Sequence, residues 1–165
     1  MSLWLKINII LLLVLTQSAC NTKPVAPDQS EAAQVRKQAA TDVSVIEVYP
    51  LPDPAVREMI RRARQYEQQG KLDWAITQTQ RALELDQNSP LILQYIAELK
   101  LNKNRWGEAI NLAHKSWMNG PKVGDLCARN WHTINRAAEH LQDKQWQKAA
   151  LQAINQCQVK QKPRL

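Results

Sequence analysis

The segment from Gly70 to Ala75 is repeated by the segment from Asn104 to Ala109, 34 residues further along the chain. Ala63 is matched by Ala97, and Ala82 by Ser116, at the same spacing. A fixed period of this length marks an array of helical hairpins, in which each unit is too small to bury its apolar face alone and is completed by its neighbour. The expected fold is therefore all-α.

Apolar residues recur at three- and four-residue steps beyond Asp53, as one buried stripe of a helix requires. A first helix is predicted from about Pro54 to Gln69, with Asp53 as N-cap, Pro54 at the first helical position and Gly70 as its stop. A second runs from about Leu72 to Leu85 and places Trp74, Ala75, Ile76, Ala82, Leu83 and Leu85 inward. The third, opened by Ser89 and Pro90, extends to about Leu101, and the fourth from Trp106 to Asn119, ended by Gly120 and Pro121. Trp106 and Ala109 recur as Trp146 and Ala149 at a spacing of 40, which predicts a third hairpin with six residues added before its turn at Asp143. Its arms are expected from about Gly124 to Gln142 and from about Trp146 to Gln158.

Ala63, Ala75, Ala82, Ala97 and Ala109 fall where paired helices cross closely, and a larger side chain there would open voids in a close-packed interior. From Val56 to Val123 this pattern resembles the tetratricopeptide family. Two positions depart from it: Gln87 stands where the first repeat would carry Pro, and Lys100 replaces the aromatic matched by Tyr66. The resemblance implies a short superhelix of about three antiparallel hairpins over residues 53–165.

The N-terminus reads differently. Lys6 precedes an apolar run from Ile7 to Leu15, too short to span a bilayer as a helix, which needs about 20 residues. Residues 1–19 are read as a signal peptide. Ser18, Ala19 and Cys20 resemble a bacterial lipobox, with Gln17 where that pattern usually has Leu, and this implies lipidation of Cys20. Asn21 resembles the outer-membrane sorting pattern and implies the periplasmic face of the outer membrane; an uncleaved N-terminal anchor is the alternative. Residues 20–52 are rich in proline and polar groups and are expected to form a flexible tether, with at most a weak helical turn from Ala32 to Ala40 and an extended segment from Val43 to Tyr49.

Cys127 and Cys157 fall about 17 residues before and about 13 after the expected turn, so on antiparallel arms their heights differ by roughly 6 Å. In an oxidising compartment they are expected to form a disulfide. Two small buried residues, or a pairing between molecules, are the alternatives. No catalytic or cofactor pattern emerges: His114, His132 and His140 lack metal-ligand spacing, and the chain has no glycine-rich phosphate loop or serine-nucleophile elbow. The reading is a protein that is not an enzyme and carries no cofactor or metal.

What remains is a binding surface. The tetratricopeptide resemblance implies a concave groove lined by the first helix of each repeat, taking an extended peptide or helix of another envelope protein. Its residues here would be Arg57, Arg61 and Arg64, then Gln94, Glu98 and Asn102, then Trp131 with Asn135. Arginines in this number can clamp a carboxylate or acidic segment through paired hydrogen bonds; a solvated helix face and a core Trp131 are the plainer readings. The net charge of +7, or +6 once Lys6 is removed with the signal, also suits direct contact with cell-wall polymer or anionic lipid. Nucleic acid is excluded by compartment. The sequence thus predicts a membrane-tethered adaptor in assembly or regulation of a pilus, secretion or cell-wall complex.

Overall fold

Asp53 starts the repeats: its carboxylate accepts the Ala55 amide at 2.7 Å, and Pro54 brings the φ that a first helical residue needs. In the computed structural model, which describes residues 27–42 and 52–158, a short 3-10 turn (Pro27–Gln29) precedes seven α-helices. They are α1 (Glu31–Asp42), α2 (Pro54–Gln68), α3 (Leu72–Leu85), α4 (Pro90–Asn102), α5 (Trp106–Asn119), α6 (Asp125–Leu141) and α7 (Lys144–Cys157). The described residues form no strand and are all-α. The expected signal peptide, Cys20, the Val43 to Tyr49 segment and the basic stretch from Lys160 to Arg164 lie outside the described residues.

Three turns join the arms of the hairpins and are built alike. Gly70, Asn104 and Gln142 each take a left-handed conformation, with φ of 72°, 58° and 56°. The next amide then closes back on the helix, Lys71 to Tyr66, Arg105 to Lys100 and Asp143 to Ala138. These turn residues are 34 and then 38 positions apart, so the third hairpin gains four residues rather than the six expected from Trp146 and Ala149. Correspondingly α6 has 17 residues against 13 in α4, an addition of about one helical turn. Side-chain matching misleads here because α7 buries Ala150, Ile154 and Cys157 and leaves Ala149 only half-buried.

Within the hairpins α2 packs on α3, α4 on α5 and α6 on α7, while α3 meets α4 and α5 meets α6. Ala63, Ala75, Ala82, Ala97 and Ala109 are all fully buried, so the close crossings do fall at the alanines. Trp74 and Leu85, expected inward, are instead 60% and 58% exposed. Trp74 still meets α2, its ring 6.1 Å from that of Tyr66, but it sits at the margin of the crossing that Ala75 and Ile76 fill, so most of the indole stays in solvent.

The largest correction concerns the expected tether. Residues 31–42 form α1, which lies against α6 and α4. Ala32, Val35 and Ala39, spaced by three and four, are at most 1% exposed, and the rest of the helix is mostly polar. Such a helix has too little apolar surface to stand alone, but its small side chains let it sit close to the repeats, where Val35 and Ala39 join the core built from α4 to α7. Ser30 Oγ accepts the Ala33 amide and Asn102 Oδ1 accepts the Ala32 amide at 2.8 Å, which satisfies two donors that every helix start leaves open.

Cys127 and Cys157 are disulfide-bonded with Cα atoms 5.5 Å apart, and the Gly124 amide bonds the Cys157 carbonyl beside them. The bond joins the start of α6 to the end of α7. No helix of the described residues is long and apolar enough to cross a membrane.

Candidate partner-binding cleft

The concave face made by α2, α4 and α6 is divided by α1 into a covered half and an open half. The open half is a cleft of about 1560 Å³ between α1 and α2, floored by Ile60, Ile92 and Tyr95 and rimmed by Arg57, Arg61 and Arg64. Asp53 and Pro54 set where α2 begins, and a three- to four-residue spacing then puts these arginines along the cleft side of the helix.

The three cations of the rim differ in availability. Arg61 donates twice to Glu58, at 2.7 and 2.8 Å, and Arg62 donates to the same carboxylate. These donors hold the Glu58 carboxyl down to about 2. Arg57 donates to the Pro52 carbonyl at 2.9 Å. Arg64 is exposed and makes no hydrogen bond or ion pair with a described residue, so its five donors face the cleft's solvent.

The covered half is built around a fully buried carboxylate. Glu98 accepts from Arg36 of α1 at 2.6 Å, from Arg129 of α6 at 2.7 and 2.9 Å, and from Gln94 at 2.9 Å. Burial pushes the Glu98 carboxyl up, but Arg129 and Arg36 outweigh it and leave the group below its ordinary value. Arg36 also bridges to Glu67 of α2 at 3.1 Å and lies 5.5 Å from the centre of the Tyr95 ring, whose hydroxyl donates to Glu67. Burial and the neighbouring Glu67 push the Tyr95 hydroxyl up, so it stays a donor. At the other end of α1, Glu31 is bound by Arg136 and reached by His140; burial raises its carboxyl, and these cations bring it net down.

Of the eight groove residues expected from sequence, Arg57, Arg61, Arg64 and Asn102 line the open cleft together. Gln94 and Glu98 are fully buried, Glu98 under Arg36, and Asn102 also caps α1. Asn135 is half-buried and donates to Glu139 of its own helix. Trp131 does not line the cleft; it is 6% exposed and packs in the core, 5.1 Å from Trp117 and 6.2 Å from His114 between ring centres. Sequence reasoning missed Arg36, Glu67 and Arg129. The signal for Arg36 was present in the spacing of Ala32, Val35 and Ala39 behind a serine cap, but its apolar stripe is three small side chains wide. His140 stacks on Trp106 at 4.0 Å, and the described residues contain no cluster able to hold a metal ion.

No family model matches the chain, and no curated protein matches it. Among solved structures, the chain is similar to the globular C-terminal domain of P. aeruginosa LpoP, with a TM-score of 0.56 and 24% identity. That similarity covers 64% of this chain and 96% of the LpoP domain, and it is a likeness of fold.

Proposed function

We propose that this protein is a lipid-anchored, tetratricopeptide-like adaptor that binds another envelope protein in its concave face. On this reading residues 1–19 are removed, Cys20 is acylated, and the helical domain works on the periplasmic side of the outer membrane. The partner belongs to a complex that is assembled or regulated there, of the pilus, secretion or cell-wall kind. The observation that carries the reading is the open cleft between α1 and α2, whose apolar floor and unengaged Arg64 suit a helix or extended peptide bearing a carboxylate. The likeness to the LpoP domain supports the helical fold that this reading needs.

Crosslinking in the native envelope, followed by identification of the captured protein, tests it. Arg64→Glu is expected to abolish capture at low and moderate salt alike, because a contact seated in a cleft is screened less than one on open surface. If the contact is instead direct binding of cell-wall polymer or anionic lipid through the basic surface, the protein will sediment with purified wall material or vesicles and come off as salt rises.

A further inference from the structure

The helix that covers half of the concave face is separable from the rest of the fold. Its packing runs to α4 and α6, and none of the three hairpins depends on it for the pairing of its own arms. Its apolar seat is Ala32, Val35 and Ala39, and its remaining hold comes from polar groups: Arg36 on Glu98 and Glu67, Glu31 with Arg136 and His140, Gln34 with Arg136, and the Ala32 amide on Asn102. Each of these can be supplied equally well by another helix of the same pattern. Glu98 keeps Arg129 as a partner if Arg36 leaves, so the buried carboxylate does not forbid departure. The seat is also incompletely satisfied, since the buried Gln94 Oε1 meets no donor among the described residues.

We propose that α1 is an intramolecular ligand of the groove, which leaves as a unit, ahead of any unfolding of the hairpins, and yields its seat to a helix from the partner protein. This rests on the adaptor reading above and adds to it the chemistry of the incoming helix. That helix carries small residues at three- and four-residue spacing, a basic side chain over Glu98 and Glu67, and an acidic group toward Arg64. Alanine-sized residues are required because Ala32 and Ala39 have no exposed surface left.

The test uses the full mature chain and a fluorescent synthetic peptide of residues 27–42 as the probe. In native-state hydrogen exchange the amides of α1 are expected to exchange at least about 100-fold faster than the buried amides of α6. Ala39→Glu, and more mildly Arg36→Ala, should quicken α1 further while α4 to α7 stay protected. Both variants should bind the peptide at least about 10-fold more tightly than the unaltered chain, whose seat is filled. Exchange of α1 at the rate of α6 would overturn the proposal, because the helix then leaves only with global unfolding. So would loss of α6 protection in both variants, or a well-protected Arg36→Ala chain that ignores the peptide. None of these measurements involves the envelope partner, so a failed capture in the envelope counts against the adaptor reading alone.

Discussion

Gly70, Asn104 and Gln142 do the same work in three equivalent turns, and they are not equally suited to it. Glycine takes the left-handed conformation freely and asparagine tolerates it, whereas a glutamine there is strained by its Cβ. Gln142→Gly is therefore expected to raise stability by about 0.5–1 kcal/mol, read from the midpoint of denaturant unfolding. The Gly70 turn was legible because glycine announces it, and the third turn was placed at Asp143 without such a signal; what slipped by two residues was the count of those added to the third hairpin, taken from Trp146 and Ala149 rather than from the turn itself. Glu98 gives a second prediction at this scale. Its folded carboxyl lies below the ordinary 4.5, so on acidification the unfolded chain takes up the proton first. The stability it contributes is complete above that ordinary value and is lost as pH falls through the lower folded one. Glu98→Gln should cost about 2 kcal/mol near neutral pH, and the gap between variant and parent in thermal or denaturant melts should close as pH falls below the carboxylate range.

Among the elements, the hairpins were legible and α1 was not, for one physical reason. The arms from α2 to α7 carry large apolar residues at helical spacing, and that pattern survives whatever they pack against. The stripe of α1 is two alanines and a valine, which acquires meaning only when α4 and α6 stand ready to receive it. A composition argument therefore read a docked helix as a tether. The disulfide between α6 and α7 belongs to this scale too. Closing a loop with a sequence separation of 30 stabilises by about 3.6 kcal/mol in the chain-entropy model. Replacing both cysteines by serine should remove about that much and should release α7 first. Hydrogen exchange would then quicken in α7 and leave α2 and α3 as they were; a uniform rise across all helices would contradict this assignment.

At the largest scale, the described residues form a short array whose concave side is partly filled by α1. The arginines on the rim of the open half were placed in a groove by the tetratricopeptide resemblance, and Arg57, Arg61 and Arg64 do line the open cleft together. Gln94 and Glu98 sit at positions that the groove pattern also selects, but they are interior residues: Gln94 donates to Thr133 and to the Arg129 carbonyl of α6, and Glu98 is enclosed between Arg129 of α6 and Arg36 of α1. Trp131 takes the plainer of its two readings: it faces the α5 side of its helix, where Trp117 and His114 enclose it, and does not reach the groove.

The docking of α1 also sets the length of the leash. With Cys20 acylated as proposed, seven residue steps separate the anchor from Pro27, and a fully extended chain of that length spans no more than about 25 Å. Had the chain stayed unattached until Pro52, the same anchor would have allowed about 110 Å. A domain held this near the bilayer can meet only what comes within a protein's width of it, and paying out residues 27–51 is how it would gain range.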